Sequence, residues 1–229
     1  MAYVRTISVG RPQERSWAGI GRTSIDKRAV SGPVAVHELG IDGDQVSDTA
    51  HHGGPDQAVY AYAREDLDFW ERELGQPIRD GQFGENLTTE GLDVNALEIG
   101  ARLQVGEPGV GVLVEARCVR IPCNDFKGWM GESGYDPRAW VRRFTAEARP
   151  GPYLRVLETG VIAPGDAVEV VHRPGHGRTI RDMFVALTTD RGGLPDLLAV
   201  EGLVPKVRAK AEEMLARSAG SLPPAEPVA

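Results

Sequence analysis

"HHGGPDQAVYAYAREDLDFW", His51 to Trp70, changes its periodicity halfway along. From Gln57 to Ala63 it is an apolar run of valine, tyrosine and alanine, the composition of a strand. From Arg64 onward Leu67, Trp70 and then Leu74 recur at i, i+3 and i+7, which places them on one helix face. Glu65 and Asp66 fall in the first turn, where the helix dipole favours acidic groups. The stretch therefore predicts a strand followed by a helix.

Outward from this point the strand type dominates. The chain holds 28 glycines and 16 prolines, and most of its first 175 residues are short apolar runs between them. "YVRTISVG", "GPVAVHEL", "QAVYAYA", "ARLQVG", "VGVLVEARCV", "YLRVLETG" and "DAVEVVHR" are the predicted strands. Short strands at this spacing suggest a mainly β domain with helices, closed or nearly closed into a β-barrel. A second helix is expected in "DPRAWVRRFTAEA", with Asp136 as N-cap, Pro137 in the first position and Trp140, Val141 and Phe144 as its apolar stripe. After a linker-like "HRPGHGRT" the composition turns to alanine, leucine and charge at helical spacing. The expected organisation is a barrel over residues 1–175, a small helical segment over 176–217 and a disordered tail over 218–229.

Bulk properties narrow the function classes. The 229 residues suit one large domain with a small appendage, and 41% hydrophobic with 26% charged residues is ordinary for a globular chain. A formal charge of -7, with arginines dispersed, lacks the basic excess that a phosphate backbone requires, so nucleic acid is not an expected partner. No secretory apolar core and no membrane-length apolar run is present, which predicts a cytoplasmic protein with no membrane partner. Cys118 and Cys123, five apart, argue against a disulfide framework, and CxxC and HExxH are absent.

Three polar, glycine-punctuated segments carry the candidate chemistry: "GIDGDQVSDTAHHGGPDQAV", "GQFGENLTTEGL" and "RIPCNDFKG". Glycine there would let backbone N–H groups approach a polar ligand. His51 and His52 are adjacent and would point to opposite faces of a strand, which disfavours joint ligation of one ion; with Asp44, Asp48 and Asp56 nearby, a metal hydrolase remains an alternative. Asn86 and Thr88 could hydrogen-bond a heterocycle or a phosphate, or simply form turns. Cys123 lies between Arg120 and Lys127, cations that favour a thiolate, whereas Cys118 sits in a strand and belongs with the core.

Together, "TSIDK", "GIDGDQVSD", "HHGGPDQAVYAYAREDLDFW", "FGENLTTEGLD", "IGARLQVG" and "RIPC" resemble, in order, the MOSC domain family, and within it the stand-alone bacterial YiiM-like group. The helical C-terminus resembles that group's small three-helix appendage. The resemblance implies a β-barrel that binds the molybdenum cofactor, a pyranopterin whose molybdenum takes a protein cysteine as ligand. Residue by residue, that metal ligand falls on Cys123. Ser24, Lys27, His52, Gly53, Asp56, Asn86, Thr88 and Arg120 match segments lining the family's cofactor pocket, with Arg120, Lys27 and Arg22 as phosphate partners. His52 and Asp56 become catalytic candidates as proton relays. The sequence departs from many relatives at Cys118-Val119, where those have Gln-Pro, and across "NDFKGWMGESGYD".

The implied activity is reduction of N-hydroxylated compounds, such as N-hydroxylated bases or amidoximes. Neither GxGxxG nor an iron–sulfur cysteine set is present, so a separate flavin or iron–sulfur protein would donate electrons. A homodimer is compatible with this reading. The alternatives are a carrier of sulfur or of the cofactor that uses Cys123, and a ligand-binding barrel that has lost its chemistry.

Overall fold

A computed structural model describes residues 1–220, the side chains as far as Arg217. The strands are β1 (Tyr3–Gly10), β2 (Gln13–Glu14), β3 (Arg22–Thr23), β4 (Lys27–Val30), β5 (Val34–His37), β6 (Gly40–Ile41), β7 (Val59–Ala63), β8 (Leu87–Glu90), β9 (Arg102–Val105), β10 (Val112–Val119), β11 (Pro152–Glu158), β12 (Gly160–Ile162) and β13 (Val168–His172). The helices are α1 (Arg64–Leu74), α2 (Asn124–Glu132), α3 (Trp140–Glu147), α4 (Ile180–Thr188) and α5 (Pro205–Gly220). Every predicted strand overlaps an observed one, and α1 has the bounds that the apolar spacing implies.

Eight strands form one sheet in the order β13-β9-β10-β11-β7-β8-β1-β4. All its neighbours run antiparallel except β7 and β8, which are parallel because α1 carries the chain back between them. The first residues of β1, which β4 does not cover, meet the start of the end strand β13. Tyr3 bridges Ala167, Val4 N–H donates to Asp166 O at 2.8 Å, and Val168 N–H donates to Ala2 O at 2.9 Å. These bonds satisfy backbone groups that an open edge would leave exposed. β7, the strand of the opening stretch, is buried at all five positions, as expected for a strand covered on both faces.

Beneath α1 lies an aromatic cluster. Trp70 stacks on Phe144 at 5.8 Å between ring centres, and Phe83, Phe126 and Trp140 pack edge-on around them. One apolar cluster runs from the sheet through this group to Phe184, Val207 and Ala211, so the C-terminal helices share the barrel's core. Arg117 of β10 also ties the two parts together by donating to Gly202 O at 2.6 Å.

Four expectations need correction. α3 begins at Trp140, not at Pro137. The Asp136 carboxylate turns to the Arg138 N–H at 3.0 Å and to its guanidinium at 2.8 Å, which makes a turn of the intended first turn of helix. α2 occupies a stretch read only as pocket loop, because Gly128 and Gly131 weaken its helical signal. β8 occupies "LTTE", where two threonines and a flanking Asn suggested turns. Finally, α5 runs to Gly220, three residues into the expected tail, since no proline intervenes before Pro223; the rest of that tail, 221–229, lies outside the described residues.

Gly128 earns its place by close approach. A Cβ there would sit 2.5 Å from the Trp17 ring, which packs against α2 at this position. The β2–β3 hairpin is held on that helix by Glu132, which accepts from Arg15 Nε and Trp17 Nε1, both at 2.7 Å. Asp125 accepts from Gly19 N–H at 2.9 Å. We expect Gly128→Val to undock the hairpin, expose Arg15 to trypsin and lower the melting temperature by roughly 2–10 °C, read by limited proteolysis and calorimetry.

Candidate functional site

The hairpin, the β6–β7 loop, the β7–β8 connection and the start of α2 surround one cleft. Its empty space, open mouth included, is about 840 Å³. Ser24, Lys27, His52, Gly53, Asn86, Arg120 and Cys123 all line it. Segments separated by about 100 residues in sequence thus converge as the three glycine-rich stretches suggested.

Its floor is a buried polar knot. Lys27 Nζ donates to both oxygens of Asp44 at 2.5 Å, and both side chains are about nine-tenths buried. Gly10 N–H adds a bond to Asp44 at 2.6 Å, and Asn86 Nδ2 another at 2.9 Å. Asn86 also accepts from Tyr60 N–H at 3.1 Å and donates to Ser8 O at 3.2 Å. Burial lowers the Lys27 pKa, and Asp44 opposes that shift. Asn86 is therefore a brace joining β1, β7 and the floor. Lys27 is already neutralised, so Asp44, weighed in the sequence only as a metal-hydrolase carboxylate, is the residue that organises it.

Arg120 differs. It is buried, its guanidinium lies 3.5 Å from the Phe126 ring centre, and no carboxylate pairs with it among the described residues. Its Nη1 is sealed without a hydrogen-bond partner. A buried, unneutralised cation is costly, and an anion in the cleft would remove that cost. Arg22 also lines the cleft and has no carboxylate partner among the described residues.

Cys123 caps α2 by position only: its side chain makes no capping bond. The half-buried thiol thus faces the cleft beside the first turn of a helix, whose N–H groups favour a negatively charged ligand. Cys118 is sealed in the core with Sγ against Asp56 O, and burial pushes its thiol up to about 12. The two cysteines divide as the sequence implied.

His52 stands exposed at the rim. Loss of solvent on its cleft side lowers its pKa below 6.5, opposed by Asp48 and aided by Arg120, so it is neutral at pH 7. His51 turns outward to Asp48 at 2.9 Å, so the adjacent histidines do diverge. Ser24 Oγ and Ser47 Oγ share a bond of 2.7 Å on the wall.

Two expected residues lie elsewhere. The Asp56 carboxylate faces away from the cleft to Arg117 at 3.0 Å and to Arg155 at 2.5 Å, and so fixes the turn Pro55–Gln57 instead of relaying protons. Thr88 is buried in β8 and donates to Glu85 at 3.1 Å. The sequence reading missed Glu85, which accepts from Gly81 N–H at 2.5 Å and Phe83 N–H at 2.9 Å and so shapes the loop before Asn86. It also missed Gln57, Tyr60 and Tyr153 of the cleft wall, whose local sequence is that of plain strand and turn.

Burial raises Glu85 to about 7, against 4.5 when unfolded. Because the folded state holds this proton more tightly, its stabilising contribution is present below pH 4.5 and is lost as pH rises to 7. Glu85→Gln removes the titration, so the stability gap between wild type and variant should shift by up to about 3 kcal/mol against wild type from pH 4.5 to 8, measured by urea unfolding.

Among the described residues no group of three or more His, Cys, Asp or Glu side chains could hold a metal ion. The MOSC domain profile matches residues 48–169, a span that includes His52, Asn86, Arg120 and Cys123 of the cleft. The chain belongs to the MOSC domain family.

YflK of Bacillus subtilis, an uncharacterized protein, is 31% identical over 179 residues, 78% of this chain and 77% of that one. A protein named Reductase from Gibberella moniliformis is 31% identical over 175 residues, 73% of this chain but only 29% of that protein. The crystal structure of YiiM from Geobacillus stearothermophilus superposes with a TM-score of 0.75 at 25% identity, covering 94% of this chain and all of that one. The MOSC fold here is therefore that of the YiiM-like group. No helix among the described residues is long and apolar enough to cross a membrane.

Proposed function

We propose that this MOSC protein is an oxidoreductase that binds the molybdenum cofactor in the Arg120–Cys123 cleft and reduces N-hydroxylated compounds. The observation that carries the cofactor assignment is Arg120, a buried guanidinium that lines the cleft beside the Cys123 thiol and has no carboxylate partner among the described residues. A phosphate-bearing pterin that brings its own sulfur-bound metal supplies an anion for the first and a soft metal for the second. The residues present fit that group. Cys123 would ligate molybdenum, Arg120 and Arg22 would hold the phosphate, and the cleft-facing edges of Ser24, Gly53 and Tyr60 would border the pterin. A fungal relative bearing the name Reductase supports the reaction class.

The cofactor, when bound, would supply the two-electron chemistry at the metal. The chain's own residues position the substrate and control water and charge. Lys27 and Asp44 keep the floor neutral and rigid, so that Arg120 remains the strong local field. His52, neutral at the rim, can pass a proton between solvent and the cleft. Electrons would come from a separate flavin or iron–sulfur protein.

The test is reduction of benzamidoxime to benzamidine by protein from a cofactor-making host, with a chemical reductant as electron source. Turnover is expected. Loaded protein that carries a persulfide on Cys123 and gives no benzamidine would favour a carrier and overturn this reading.

A further inference from the structure

We propose that the Tyr153 hydroxyl donates a hydrogen bond to the N-hydroxyl oxygen of the substrate. This rests on the N-hydroxy reductase reading and assigns that site the residue that recognises the oxygen to be removed.

Tyr153 lies in β11, paired across the sheet with Tyr60 on one side and Cys118 on the other, and its side chain lines the cleft. Its ring rests on Tyr60 with centres 5.1 Å apart, so the hydroxyl is carried on a fixed aromatic base. The Arg120 guanidinium is near enough for its charge to bear on the phenol.

The hydroxyl has no protein partner. No hydrogen bond from Tyr153 Oη exists among the described residues, whereas Tyr60 Oη is spent on Pro150 O at 2.7 Å. Among the described residues the sealed, unpartnered side-chain atoms are Ser8 Oγ, Gln57 Oε1, Arg120 Nη1, Trp140 Nε1 and Arg155 Nε. Tyr153 Oη is not one of them, so it is an accessible, unspent donor on a residue of the cleft wall. Buried surroundings push its pKa to about 12, which keeps it protonated and a donor at neutral pH.

A donor placed there meets the chemistry of the reaction. For an amidoxime, R–C(=NOH)NH2 + 2 e⁻ + 2 H⁺ gives R–C(=NH)NH2 + H2O. The N–O bond breaks, nitrogen is reduced by two electrons from the flavin or iron–sulfur donor, and both protons come from water. Negative charge grows on the departing oxygen, and a fixed O–H donor stabilises it most at that moment. Tyr153 keeps its own proton throughout.

Tyr153→Phe is the test, because it retains the ring and removes no bond within the protein. Calorimetric binding of benzamidoxime and of benzamidine, the second a cation at neutral pH, to loaded wild type and variant reads how each ligand responds to loss of the hydroxyl alone. The variant should lose about tenfold in affinity for the amidoxime but not for benzamidine, and about tenfold in kcat, with melting temperature and cofactor content unchanged. An unchanged amidoxime affinity and kcat in the variant, or a fall in its melting temperature or cofactor content, overturns the assignment of Tyr153 alone. Wild type that neither binds nor reduces benzamidoxime overturns the N-hydroxy reading, and this assignment with it.

Discussion

Cys123→Ser is expected to lower kcat/KM for benzamidoxime by at least about a thousandfold while the fold stands. The thiol is half-buried, makes no capping bond to α2 and takes part in no disulfide, so an isosteric hydroxyl changes little in the packing. The melting temperature should stay within a few degrees of wild type, since substitutions that create no cavity and strand no buried partner cost little. As the soft ligand to the metal, however, sulfur has no substitute in serine oxygen. A thousandfold loss corresponds to about 4 kcal/mol of transition-state stabilisation. Steady-state assays on variant and wild type loaded in the same host read it, and activity within tenfold of wild type would contradict the role given to Cys123.

Asp44→Ala should act on stability instead. The Asp44 carboxylate accepts from Lys27, Gly10 N–H and Asn86 within a floor that water scarcely reaches. Without it a buried ammonium and a buried N–H lose their acceptor, and breaking a buried pair in this way costs about 3–5 kcal/mol. For a chain of this size that is a fall of roughly 6–20 °C in melting temperature. Calorimetry across pH would check it. Lys27→Met in the Asp44→Ala background should recover part of the loss, because the unpaired charge goes too. A double variant no more stable than Asp44→Ala would show that the Lys27 charge is not what destabilises the floor.

Much of the fold was legible because its periodicities are local. β7 and α1 follow from the apolar spacing between Gln57 and Leu74, and β1 and β10 from valine-rich stretches with partial period-two alternation. α2 was not legible, because its two glycines weaken the helical signal and Gly128 serves a contact with Trp17, which lies 111 residues earlier in the sequence. Asp136 failed as a cap for a related reason: the competing Arg138 is two residues away, but its geometry is decided by the turn.

The site divides along the same line. Family-like motifs placed Cys123, Arg120, Asn86 and His52 around one cleft, as the sequence reading anticipated. They could not distinguish residues that face a ligand from residues that hold the wall. Asp56 binds two arginines behind the cleft and Asn86 braces its floor, and both facts depend on partners 26 to 99 residues away. Tyr153 left no mark at all, because a tyrosine in a strand is ordinary and only its missing partner makes it informative.

X-ray absorption at the molybdenum edge, on wild type and Cys123→Ser from a host that makes the cofactor, tests the central claim most directly. The account predicts molybdenum in the wild type, with one more sulfur neighbour than in the variant. Wild type without molybdenum, or the same sulfur count in both proteins, would contradict it.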